Sequence, residues 1–202
     1  METADTYLTI KAETKGTFRD KASRFIGIAT PVSSETDVKK RLDAIRKDYF
    51  DANHHCYAYR LGPAGMLYRM NDDGEPSGTA GRPIYGQILS NGLSDLLVTV
   101  VRYFGGTKLG VPGLINAYRT AAEEALSAAV PVSKVVTDRI DVTFDYPRMN
   151  NVMKIIKDCG ATVIRQETDQ QCRLSFSIRK SRSGEVRDRL MKLTNICIFD
   201  NV

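Results

Sequence analysis

The longest nearly apolar run in the chain is Leu96-Leu97-Val98-Thr99-Val100-Val101, bounded on both sides by turn residues. A short run of this kind predicts a strand covered on both faces. Upstream, Tyr7-Leu8-Thr9-Ile10 starts a first strand. Residues 16–19 and 24–29 continue it as a meander that Pro31 ends. Ser34 followed by Asp37 forms a capping box. Val38, Leu42, Ile45 and Tyr49 then recur at helical spacing, opposite a basic face of Lys39, Lys40, Arg41, Arg46 and Lys47. Residues 56–59 and 66–69 read as paired strands about the turn at 62–65. Pro83 suits a helix start, and the helix runs through Ile84, Gln87, Ile88 and Leu89 to Asn91-Gly92. Beyond the central run, Leu114, Tyr118, Ala121, Ala125 and Ala129 form one helical stripe. Its alanines predict close packing against a sheet, and Pro131 ends it.

The last third alternates cleanly. Ile140, Val142, Phe144 and Tyr146 show strand spacing. Pro147 opens a helix with Met149, Val152, Met153 and Ile156 on one face, capped by Gly160. Strands at 161–167 and 172–178, a helix marked by Val186, Leu190 and Leu193, and a strand at 196–199 complete a βαββαβ order. That order is the ferredoxin-like arrangement. An α+β protein of two domains follows, 1–130 and 134–202, divided at residues 130–133.

Two glycine-rich segments flank the central strand. The first is Asp72-Asp73-Gly74-Glu75-Pro76-Ser77-Gly78-Thr79-Ala80-Gly81-Arg82-Pro83-Ile84, and the second runs from Arg102-Tyr103-Phe104 through Gly105-Gly106-Thr107-Lys108-Leu109 to Gly110. Residues 78–81 would present backbone N–H groups at a helix start, an arrangement that holds an anion. Neither segment has dinucleotide-binding or Walker spacing. In His54-His55-Cys56, adjacent residues on a strand point to opposite faces. His54 and Cys56 share a face about 6–7 Å apart. A packed cysteine beside a structural histidine stands against a Cys/His hydrolase there. Asp72, Asp73 and Glu75 have the oxygen ligands for Mg²⁺, or they cap nearby backbone in a turn. Glu75 can also pair with Arg82 or Arg102, which would make the loops an internal scaffold. None of these motifs calls for a metal or a cofactor.

Both glycine segments resemble the signature of the IMPACT/YigZ family, its DDGEPxGTAGxPI and RYFGGxKLG blocks, and residues 54–58 resemble a third block. The departures are Asn116, where a basic residue is usual, and His55, where Asn is common. The resemblance implies a ribosomal-S5-domain-2-like α/β sandwich, similar to domain IV of elongation factor G, followed by a ferredoxin-like domain. It also implies a translation-linked role, with RNA, the ribosome or a translation-associated protein as partner. A hydrolase or phosphate-ligand enzyme built on residues 72–83 and 105–110 is the alternative.

Composition narrows the setting. Of 202 residues, 42% are hydrophobic and 26% charged, as in ordinary soluble proteins. No apolar stretch approaches the ~20 residues of a membrane helix. The acidic start Met1-Glu2-Thr3-Ala4-Asp5 is not a secretory signal. Cys56, Cys159, Cys172 and Cys197 lack zinc-site spacing and sit among apolar neighbours, so buried free thiols in a reducing cytoplasm are expected. The net charge of +5 is uneven: residues 134–202 carry 13 Lys+Arg against 9 Asp+Glu. That excess is a solvated face or a surface for a polyanion. The candidate phosphate-binding residues are Arg82, Arg102 and Lys108, with the backbone of Gly78, Thr79, Gly105 and Gly106. Tyr85 and Tyr103 are placed to stack bases.

Overall fold

The computed structural model describes residues 5–169 and 171–200. Residues 1–4, most of the acidic start, lie outside the described residues. Packing divides the chain into Tyr7–Lys134 and a second unit that begins at Val135 and takes in Asp5 and Thr6.

In the first unit, strands β2 (Thr14–Asp20), β3 (Ser23–Pro31), β4 (His54–Leu61), β5 (Leu67–Asn71) and β6 (Leu96–Tyr103) form one antiparallel sheet in the order β2-β3-β6-β4-β5. The apolar run is therefore the central strand, and residues 96–101 of β6 are fully buried. Strand alternation sorts side chains between two helical layers. Helix α1 (Glu35–Asp48) covers one face. Its Val38 and Leu42 pack on Tyr57, Tyr59 and Leu97, and Ile45 packs on Ile26, Ile28 and Val101. Ser34 caps it by accepting from the Asp37 N–H at 3.1 Å, as the capping box predicts.

Helices α2 (Gly81–Ser90) and α3 (Gly110–Ser127) cover the other face, against Phe25, Ala29, Cys56, Ala58, Val98 and Val100. Helix α3 lies directly on backbone. A Cβ added at Gly27 of β3 would fall 2.0 Å from the carbonyl oxygen of Ala121. The small side chains Ala117, Ala121, Ala122 and Ala125 are what let the helix approach so closely.

The first strand departs from expectation. β1 (Thr6–Ile10) does not extend the meander. It pairs with β7 (Pro131–Val135) in a separate two-stranded sheet. Pro131 therefore opens a strand, and α3 ends before it, at Ser127. Asp95, in the left-handed region at φ 55°, secures this pair. Its carboxylate accepts from the Tyr7 hydroxyl at 2.5 Å, the Gly62 N–H at 2.8 Å and the Lys134 ammonium at 3.0 Å. Burial pushes the Asp95 carboxyl up, but these three donors together outweigh it and hold the group below its ordinary value of 3.8.

The second unit is built from β8 (Thr137–Phe144), α4 (Met149–Asp158), β9 (Thr162–Thr168), β10 (Cys172–Arg179), α5 (Ser183–Met191) and β11 (Ile196–Asp200). Its sheet order is β11-β8-β10-β9, all antiparallel, the ferredoxin-like topology. Ile140, Val142 and Phe144 join Val152, Ile156, Val186 and Leu190 in one core. Tyr146 lies past the end of β8 and is exposed, because Pro147 has already turned the chain into a 3₁₀ turn. All four cysteines are free. Cys56, Cys159 and Cys172 are buried, but Cys197 is exposed, since its position alternates away from the core in β11.

Gly27→Ala should cost about 3 kcal/mol or more by forcing α3 off the sheet. Gly86→Ala, with open space at its Cβ, should stabilise α2 by about 0.5–1 kcal/mol. Chemical denaturation of both variants checks this. Asp95→Asn should cost about 1–3 kcal/mol at neutral pH, since bonds to a charged acceptor are the stronger ones. A depressed carboxyl contributes stability above its unfolded value and loses it as pH falls through the folded one. The gap between wild type and Asp95→Asn should therefore narrow below about pH 3.8, as read from melting curves over pH.

Candidate functional site

Register brings the signature segments together. β4 runs beside β6 with His54 opposite Arg102 and Cys56 opposite Val100. Arg102 thus points to the face that carries α2 and α3, beneath the two glycine loops. There it meets Glu75 from the first loop, with Nη1 donating to Oε1 at 2.5 Å. The side chains are 6% and 4% exposed. The same carboxylate oxygen accepts from the Tyr118 hydroxyl of α3 at 2.7 Å, and His54 Nε2 lies 3.8 Å away. The guanidinium stands between two rings, 5.3 Å from the centroid of Phe25 and 5.5 Å from that of Phe104. The Arg102 Nε is buried without a hydrogen-bond partner.

The other two acids of the loop are already engaged. Asp72 accepts from the N–H groups of Gly78 at 2.9 Å, Ala80 at 2.9 Å and Gly81 at 2.8 Å. The helix start expected to hold an external anion therefore holds the chain's own carboxylate. Thr79 is buried, and its hydroxyl donates to the Pro76 carbonyl at 2.6 Å. Asp73 accepts from the His55 N–H at 2.6 Å. The three carboxylates thus serve three separate partners, and among the described residues no cluster of His, Cys, Asp and Glu could hold a metal. His54 Nδ1 lies 2.8 Å from the Asp73 carbonyl. A carbonyl only accepts, so that nitrogen carries the proton.

Cys56 is not a nucleophile in this setting. Burial pushes its thiol well above the ordinary range, and the charges of Glu75, Asp73 and Asp72 push the same way. The thiol donates to the Asp72 carbonyl at 3.0 Å. Burial raises the neighbouring Tyr118 hydroxyl as well. Thiolate chemistry needs a depressed pKa and access, and Cys56 has neither.

The candidate phosphate-binding residues divide between two cavities. One, of about 460 Å³, is lined by His54, Glu75, Arg102, Phe104, Lys108 and Leu114. The other, of about 420 Å³, lies between α2 and α3 and is lined by Gly78, Arg82, Pro83, Gln87, Ile115 and Arg119. Arg102 is therefore inside the protein, paired with Glu75, and not part of a basic surface. Gly105 serves the chain itself: an added Cβ would fall 2.1 Å from the Ala22 carbonyl carbon, and its N–H donates to Ser23 Oγ at 3.1 Å. Gly106 is exposed at φ 84° with open space beside it. Among the described residues, Arg82, Arg119 and Lys108 have no carboxylate within ion-pair distance.

The expected aromatic partners also change. Tyr85 already stacks on Tyr68, with centroids 5.0 Å apart, and the Tyr103 hydroxyl donates to Asp51 at 2.8 Å. Phe104, at 45% exposure, is the aromatic side chain that lines the cavity of Lys108. Sequence reasoning misses two contributors, Phe104 and Arg119. The one signal for Arg119 was its place one turn after Ile115, beside the buried stripe of α3.

Comparison with known proteins bears on this unit first. The Impact N-terminal domain model matches residues 21–126, which include both glycine loops, the central strand and most of the three helices. The IMPACT family member YvyE of Bacillus subtilis is 29% identical over 189 residues, covering 94% of this chain and 87% of that protein. An IMPACT family member of Haemophilus influenzae is 31% identical over 148 residues, covering 72% of each. The crystal structure of a hypothetical protein superposes with a TM-score of 0.78 at 24% identity, covering 99% of both chains, and so extends the fold match through the second unit. The loops that enclose Glu75 and Arg102 lie within the matched segment, and the chain belongs to the IMPACT family.

Proposed function

We propose that this protein is a translation-linked factor that acts by binding RNA, free or within the ribosome, and not by catalysing a reaction. The observation that carries this is the cleft between α2 and α3, where Arg82 and Arg119 stand exposed with no carboxylate within ion-pair distance among the described residues. Unpaired cations on a concave surface are the electrostatic footprint of a polyanion site. Gly78 and Gly86 leave open space at that cleft, so a phosphate can come close to the backbone. The cleft lies in the segment that defines the family. The link to translation follows from the resemblance of the S5-like and ferredoxin-like pair to elongation factor G.

The second unit offers a compatible surface. Alternation along β8 and β10 places Arg139, Arg173 and Ser175 on the sheet face away from the helices. With Arg165 and the half-exposed Phe199 they line a cavity of about 520 Å³, where Asp141 pairs with Arg139 at 3.5 Å and Glu167 pairs with Arg165, so that the face is less basic than its arginines alone suggest. An open sheet face with arginines and an aromatic ring suits single-stranded RNA, whose bases stack on such platforms.

The Cys/His hydrolase reading of residues 54–56 loses its nucleophile, since Cys56 is buried and held protonated. Among the described residues, no helix is long and apolar enough to cross a membrane.

The test is binding of single-stranded RNA by wild type and by Arg82→Ala/Arg119→Ala at several salt concentrations. Each phosphate contact on a single strand contributes about −0.7 to the slope of log K against log [salt]. The double variant should bind more weakly, with a slope shallower by about 1.4 for two lost contacts, and with an unchanged melting temperature. Unchanged RNA binding, with retention of a ribosomal or other protein partner, would replace RNA by protein as the ligand.

A further inference from the structure

The two edges of the five-stranded sheet are treated in opposite ways. An edge strand carries unpaired N–H and C=O groups, which proteins shield with charge or cover. At one edge, β2 exposes Lys15, Thr17 and Arg19, and α3 packs onto its backbone at Gly16. At the other, β5 exposes Leu67 at 48%, Tyr68 at 51% and Met70 at 40%, with the exposed Met66 just before it. Among the described residues, β5 pairs with β4 alone, and its outer edge has no backbone partner.

The two faces beside this edge differ in character. Register with β4 sets them. Tyr68 lies opposite Arg60 and Met70 opposite Ala58, on the side of α2, while Leu67 lies opposite Leu61 and Arg69 opposite Tyr59, on the side of α1. On the α2 side, the Tyr68 ring stacks on Tyr85, and the exposed Leu89 follows one turn along the helix. Arg60 is turned away there, donating to the carbonyls of Leu93 at 2.9 Å and Ala64 at 3.3 Å. That side is apolar. On the α1 side, beyond Leu67, a cavity of about 370 Å³ is lined by Glu35, Lys39, Asp43, Arg46, Tyr59 and Arg69. Glu35 accepts from the Tyr59 hydroxyl, and Asp43 lies 3.9 Å from Arg46. Among the described residues, Lys39 and Arg69 have no carboxylate within ion-pair distance. That side is cationic.

We propose that β5 is a docking edge for an extended segment of a partner protein in which apolar and acidic residues alternate. The segment adds a sixth strand to the sheet by backbone hydrogen bonds to β5. Successive side chains of a strand point to opposite faces. Its apolar residues therefore lie against Tyr68, Met70 and Leu89, and its carboxylates reach Lys39 and Arg69. A second copy of this chain fits less well. Two-fold pairing of β5 with itself keeps both α1 layers on one side, so Lys39 and Arg69 of the two copies would gather with no carboxylate to answer them. This proposal does not rest on RNA binding by the α2–α3 cleft.

The experiment is NMR titration of the isotope-labelled full chain with an end-blocked heptapeptide of alternating valine and glutamate. The comparisons are the same peptide with lysine for glutamate, with serine for valine, and with every backbone amide N-methylated. Saturable binding of the valine–glutamate peptide is expected, with shifts centred on residues 66–71. The lysine peptide should bind at least about tenfold more weakly, since it sets like charges against each other. The serine peptide should also bind more weakly, and the N-methylated one, which cannot pair as a strand, should not bind. Lys39→Ala/Arg69→Ala, at two exposed positions, should weaken binding about fivefold through the loss of two exposed ion pairs. It should also flatten the salt dependence and leave the melting temperature unchanged. Arg82→Ala/Arg119→Ala should bind the peptide as wild type does, which separates this edge from the RNA cleft. Absence of saturable binding, equal binding of the lysine or N-methylated peptide, or shifts away from β5 would overturn the proposal. So would self-association of the peptide-free chain through β5, seen by sedimentation, which would make a second copy the occupant.

Discussion

One buried carboxylate, Glu75, joins the pieces that make this family distinctive. It sits in the first glycine loop, receives Arg102 from the end of the central strand, and receives Tyr118 from the helix that follows the second loop. Isolating either charge would be costly. Removing one partner of such a pair commonly costs about 3–5 kcal/mol, because the other is left buried and unpaired. Together with the rings of Phe25 and Phe104, the pair fixes the floor of the cavity. The glycines then have a mechanical explanation. Gly105 passes against the backbone at Ala22, and Gly81 against that of Asn71, where no Cβ fits. The loops are held close to the sheet, and what they leave open is the start of α3.

Electrostatic roles in this unit are set by which charges are satisfied internally. Asp72 is spent on α2, Asp73 on the β4 backbone, and Asp95 on the β1–β7 pair. Around the glycine loops, Arg82, Arg119 and Lys108 have no carboxylate within ion-pair distance, and they fall at two cavities of different character. One is an open cleft between helices. The other is a hollow lined by Phe104, Lys108 and the start of α3.

Much of the fold was legible because helix and strand periods are local. The Ser34–Asp37 cap, the Val38–Leu42–Ile45 stripe, the run at 96–101 and the βαββαβ order of the last third all stand where the pattern places them. The partner of β1 was not legible. Its mate, β7, lies at the other end of the unit, and alternation says nothing about pairing at a distance. The cavity was half legible. Glycine and cation content marked the two loops, but whether Arg102 faces in or out depends on its register opposite His54. In sequence Asp72 is equally a turn residue and a metal ligand. That it closes the helix start of α2 depends on the tertiary path of residues 72–81. Cys197 misled because apolar neighbours in sequence lie on both faces of a short strand.

The central claim is that Glu75 and Arg102 act as one unit in holding the two loops. A double-mutant cycle of Glu75→Ala, Arg102→Met and the pair, by chemical denaturation, measures it most directly. Each single variant should lose about 3 kcal/mol or more. The double variant should lose less than the sum by about 2 kcal/mol or more, since it removes both buried charges together. Losses that add to within about 0.5 kcal/mol would mean that the two residues stabilise the protein independently, and would contradict the account.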